Sequence, residues 1–158
     1  MIVNTSASFT RPNDTTAYAS GDLIANSTTA GSVTPMSFQI ASGIGFSIWR
    51  ASVKFNSATP TNAQFKLHLY KASPTVTNGD NGAWLSTESG YLGSISVDAS
   101  TLTFSDSTTG WSAQLTAPLT VPTDTNPGKL FGLLTATAAY TPIANEVFTV
   151  TLVGESYN

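Results

Sequence analysis

Hydrophobic and polar residues alternate with a period of two along most of this chain, and turn-forming residues separate the alternating stretches. The clearest strand is Gln64–Lys71, in which Phe65, Leu67 and Leu69 share one side while Gln64, Lys66, His68 and Tyr70 share the other. That pattern predicts an antiparallel sheet with one buried and one wetter face. Phe46–Ile48 alternates in one phase and Ala51–Phe55 in the other, which places a β-bulge, or a strand buried on both faces, at Trp49–Arg50. Glu146–Val153 is rich in β-branched residues and reads as a strong late strand. Further strands are expected at 6–10, 22–26, 33–41, 91–97, 112–116 and 119–121. Residues 130–137 fit helical spacing in part, but an interior Gly132, Pro127–Gly128 before and Pro142 after favour a central strand covered on both faces. The sum is about eight to ten short strands and no convincing helix, an all-β antiparallel β-sandwich of jelly-roll-like form, with a single-domain barrel as the alternative. No internal repeat speaks for a solenoid or propeller.

Residues 1–13 are short, polar and rich in Ser and Thr, and are read as an extended N-terminal arm; residues 14–158 are read as one sandwich domain. The longest irregular stretch is a loop at 72–90 containing Asn78-Gly79-Asp80-Asn81-Gly82, then Trp84 and Leu85. Loops of this length in compact domains usually carry function or are disordered. Trp84 is expected either to fold back and plug one end of the sandwich or to anchor a partner.

Composition narrows the function classes. Ser and Thr make up 45 of 158 residues, whereas charged residues are only 9%, against about 25% in an average domain. The chain is too apolar for an intrinsically disordered protein and too poor in charge for a helical bundle. Six scattered cations and a net charge of −3 argue against neutralising nucleic-acid phosphates. There is no cysteine, so disulfides and thiolate chemistry are excluded. Met1–Ser6 has neither a basic nor an apolar stretch, so no signal peptide is expected, and no apolar run has the ~20 residues a membrane helix needs.

No catalytic constellation stands out. His68 is the one histidine and its parity makes it a wet-face strand residue. No Gly-x-Ser-x-Gly elbow is present, and the turn positions of Asp14, Asp80, Asp106 and Asp124 are explained by side chains bonding their own backbone. Asn78–Gly82 has one charged ligand, too few for a calcium loop. Gly43-Ile44-Gly45 lacks the lysine and strand–helix setting of a phosphate loop. Trp49, Trp84, Trp111, Tyr18, Tyr70, Tyr91 and Tyr140 include enough aromatic surface for a sugar-stacking platform, but no motif selects one. No catalytic residue, metal or cofactor is therefore expected.

Two stretches resemble a known group. Phe9-Thr10-Arg11-Pro12-Asn13-Asp14-Thr15-Thr16-Ala17-Tyr18-Ala19-Ser20-Gly21-Asp22-Leu23-Ile24-Ala25-Asn26-Ser27 is one, and Gln64-Phe65-Lys66-Leu67-His68-Leu69-Tyr70-Lys71-Ala72-Ser73-Pro74, followed by Tyr91-Leu92-Gly93-Ser94-Ile95, is the other. They resemble small proteins from the structural gene modules of tailed bacteriophages. The resemblance implies a non-enzymatic capsid decoration (cement) protein on the outer head surface. Its partners would be the major capsid protein and further copies of itself, as a homodimer or homotrimer, with no nucleic acid and no membrane. It would be made in the host cytoplasm and end in the virion. The alternative is a tail-associated receptor-binding or carbohydrate-binding β-domain. Interface residues expected for the decoration role are Phe9 and Arg11 of the arm, Trp84 and Leu85 of the long loop, and Tyr91.

Overall fold

The computed structural model describes residues 1–41, 43–56, 61–84, 90–100, 109–121 and 128–157, and of residues 109–117 the backbone alone. Nine strands run through them: β1 (Ile2–Thr10), β2 (Leu23–Ile24), β3 (Met36–Gln39), β4 (Gly45–Phe55), β5 (Gln64–Tyr70), β6 (Tyr91–Asp98), β7 (Thr109–Val121), β8 (Lys129–Ala136) and β9 (Val147–Tyr157). A single 3-10 turn, Ala30–Ser32, joins β2 to β3.

The strands form two antiparallel sheets. Sheet one has the order β1-β9-β4-β7. In sheet two, β5 separates β8 from β6, and β2 and β3 lie end to end along the other side of β8. With β2 and β3 taken as one broken strand there are eight positions. The first pairs with the last (β1–β9), the second with the seventh (β2 and β3 with β8), the third with the sixth (β4–β7) and the fourth with the fifth (β5–β6). A long hairpin rolled up in this way is a jelly roll, two Greek keys in two packed sheets.

The inward positions follow the period of two. Phe46, Ile48, Ala51, Val53, Phe55, Phe148, Val150 and Leu152 from sheet one meet Phe65, Leu67, Leu69, Ile95, Val97, Leu130 and Leu134 from sheet two. Each large side chain so buried contributes roughly 1.5–3 kcal/mol. At one end the filling is aromatic: Phe55 packs edge-on to Phe65 and stacks on Phe148, and Tyr140 stands edge-on to both Phe55 and Phe65.

One expectation is settled and several change. The phase switch in β4 is a bulge, since its register with both neighbours shifts between Ile48 and Arg50. Residues 112–116 and 119–121, read as separate strands, are one strand. Opposite Trp49 alone, β7 spends residues 115–118, including Pro118, which an edge strand tolerates. Residues 2–10 are not a free arm but the edge strand β1, registered with β9 from Ile2↔Glu155 to Thr10↔Val147. The outer side of β5 is not wet: His68 and Tyr70 are buried, because the segment that follows β5 folds back over them.

Candidate functional site

The segment 71–84 roofs the outer face of sheet two. Leu23, Tyr70 and Leu133 form a second apolar cluster there, closed by Val76, Trp84 and Phe131. The roof is stitched down through its backbone. Leu23 N–H donates to Gly82 (2.8 Å), Asn81 to Leu23 (2.9 Å), Trp84 to Gly21 (3.0 Å) and Asp80 to Ser27 (2.7 Å). Gly79 permits the closest approach, as a Cβ there would lie 1.9 Å from the Thr28 carbonyl oxygen. The void left beneath is about 10 Å³, room for about one water and no ligand.

Trp84 lies flat on His68, with ring centroids 3.6 Å apart. It therefore folds back, but onto the sheet face rather than the end of the sandwich. His68 is 4% exposed. Its Nε2 lies 3.1 Å from the Thr135 hydroxyl and its Nδ1 lies 3.2 Å from that of Tyr91. Burial, helped by the nearby Lys66 charge, pulls its pKa down to about 4. His68 is thus a neutral structural ring.

A polar knot sits beside this roof. Asp80, inside the Asn78–Gly82 loop, takes the Arg11 Nη2 at 2.8 Å, the Tyr18 hydroxyl at 2.7 Å and the backbone N–H of Ala25 at 2.7 Å. Arg11 Nε donates to the Tyr18 oxygen as well, and Nη1 reaches the carbonyls of Asp14 and Ile143 at 3.3 Å each. Burial works against the Arg11 charge, but Tyr18 and Asp80 outweigh it and its pKa is raised. Burial also raises the Tyr18 pKa, so the phenol stays protonated and donates.

Tyr140 stacks parallel to Tyr18 and donates to Glu146 Oε1 at 2.6 Å. Glu146 is fully buried, and among the described residues its Oε2 has no hydrogen-bond partner. Burial raises its pKa to about 7 against the pull of Tyr140 and Arg11.

Of the five residues expected at an interface, the four that the structure describes do not form one patch, although Trp84 and Tyr91 both contact His68. Phe9 is half-buried at the end of β1, stacked on Phe148. Arg11, expected at an interface, is instead 2% exposed, and its guanidinium is spent inside the chain on Asp80. Trp84 is half-buried on His68. Tyr91 is 40% exposed and its hydroxyl contacts the same histidine. Leu85 lies outside the described residues. Sequence reading missed Tyr18, Asp80 and Glu146 as network members, since Asp80 sits in a stretch that a turn alone explains.

Among the described residues, no segment covers the outer side of sheet one. Its register sets Ser6, Thr151 and Ser52 in one row and Ser8, Thr149 and Lys54 in the next. The hydroxyls of Ser6 and Thr151, and of Ser8 and Thr149, lie 2.8 Å apart. This is a hydroxyl-rich surface that also carries Arg50, Lys54 and Glu155 at exposed positions.

No protein-family model matches the chain, and no curated protein matches it. Among solved structures, the chain is similar to the coat protein of Tobacco streak virus, at 6% sequence identity and a TM-score of 0.22, over 93% of this chain and 84% of that one. A likeness this slight carries no argument about fold or role.

Proposed function

We propose that this chain is a non-enzymatic structural protein of a virus particle, a decoration or cement subunit that binds the outer surface of the capsid shell through the major capsid protein. The observation that carries the reading is the outer face of sheet one, where rows of Ser and Thr offer hydrogen bonds between a few charged residues, Arg50, Lys54 and Glu155. Such contacts are little screened by salt, and repetition over a symmetric shell makes individually weak ones effective. The reading also draws on the resemblance of residues 9–27, 64–74 and 91–95 to tailed-phage structural proteins, and on the jelly-roll topology, an architecture used by viral capsid and lectin domains. A carbohydrate-binding role would draw on exposed aromatic rings, and Trp84 is already stacked on His68.

Adding the purified chain to heads that lack it tests this. A ligand that binds only the assembled shell must stabilise it, so the melting temperature of the heads should rise and then saturate. Unchanged melting across micromolar concentrations contradicts the role and directs the search to glycans.

A further inference from the structure

We propose that β1 pairs edge to edge with the β1 of a second copy, giving a two-fold dimer in which two four-stranded sheets become one. β1 is bonded to β9 on one side only, and its nine residues run in unbroken register. Natural edge strands are usually blunted by a charge, a proline, a bulge or a short length. β1 has none of these: Ile2–Thr10 contains no charged residue, no Pro and no Gly. Among the described residues no backbone hydrogen bond closes its outer edge against β3. An open groove of about 480 Å³ lies there instead, lined by Ala7, Phe9, Thr10, Pro35 and Met36 among others.

The strand is its own complement. In the antiparallel register that overlaps it fully, Ser6 faces Ser6 of the second copy, Ile2 faces Thr10 and Val3 faces Phe9. On the outer face Ile2 is 69% exposed, while Val147, the β9 neighbour of Thr10, is 37% exposed. The pairing sets each Ile2 opposite the other copy's Thr10, so the exposed Ile2 side chain packs along the end of the partner strand, one strand away from Val147. Between the strand ends Asn4, Ser6 and Ser8 supply hydrogen-bonding groups without repulsion. On the inner face, Val3 of one copy comes over the groove beside Phe9 of the other.

This inference does not rest on attachment to a capsid, because it is read on the purified chain alone. Sedimentation equilibrium should show a dimer at micromolar concentration. Ser6→Lys places two like charges opposite each other at the axis and should weaken the dimer roughly tenfold or more. The chain has no cysteine, so Ser6→Cys introduces a single thiol whose Cα would stand about 4.5–5.5 Å from its mate, within disulfide reach. On mild oxidation it should cross-link to a covalent dimer, whereas Ser52→Cys, two strands away on the same face, should not. A wild-type monomer at 100 μM (roughly a hundredfold above that range), a trimer, or equal cross-linking of the two cysteine variants overturns the proposal.

Discussion

The carboxylate of Asp80 and the guanidinium of Arg11 meet at 2.8 Å although 69 positions separate them, and both side chains are sealed from solvent. One carboxylate thereby holds the end of β1, the connection through Tyr18, the backbone beside β2 and the roof over sheet two. In a chain without disulfides, it is the cross-link between these segments. Removing one member of a buried pair leaves the other charge stranded. Asp80→Asn should therefore cost about 3–5 kcal/mol of unfolding free energy in urea titration. A loss below about 1 kcal/mol, the range of a surface pair, would mean that the knot does not hold the roof.

The Trp84–His68 stack makes a spectroscopic prediction. Trp84→Ala should open the roof, destabilise the fold by about 2–4 kcal/mol, and let the His68 pKa climb from about 4 toward its ordinary 6.5. NMR titration of the single imidazole reads this directly. A pKa that stays near 4 in the variant would show that something other than the indole shields the ring.

Two buried groups pull the pH dependence of stability in opposite directions. His68 has a folded pKa below its unfolded value, so the unfolded chain takes the proton first and stability falls as pH drops from 6.5 to about 4. Glu146 has a folded pKa above its unfolded value, so its contribution is full below pH 4.5 and is lost as pH rises through about 7. The two slopes oppose each other where the windows overlap. Glu146→Gln should unmask the histidine slope, so that urea midpoints rise between pH 4.5 and 6.5 more steeply than in the parent chain. Identical pH profiles for the two chains would show that Glu146 is ionised in the folded state.

Gly79 sits where the roof meets the turn before β3, with no room for a side chain against the Thr28 carbonyl. Gly79→Ala should force the loop outward and cost about 1–3 kcal/mol. Thermal melting checks it, and a neutral outcome would mean that the loop relaxes without disturbing Asp80.

Local patterning carried much of the fold. The change of phase around Trp49–Arg50 located the bulge in β4, and the continuous apolar run in β8 marked it as a strand covered on both faces. Each signal is carried by a few neighbouring residues. The roof is a different matter. The parity of His68 and Tyr70 told which face they share, but what lies over that face depends on a segment that returns from beyond the strand. The Arg11–Asp80 contact is equally non-local, and nothing in either residue's neighbourhood distinguishes it from a surface arginine and a turn aspartate. The arm expected at residues 1–13 has the composition of an exposed segment because β1 is an edge strand with one polar face.

The most direct measurement is the number of copies bound per head at saturation, for the parent chain and for Thr151→Arg, at low and high salt. If the hydroxyl face of sheet one seats on the shell, the parent chain should saturate at a fixed stoichiometry on the order of hundreds of copies, nearly unchanged by salt. Thr151→Arg, with its bulky charge in the middle of that face, should lose binding while staying folded. No saturable binding by the parent chain, or undiminished binding by the variant, would contradict the assignment.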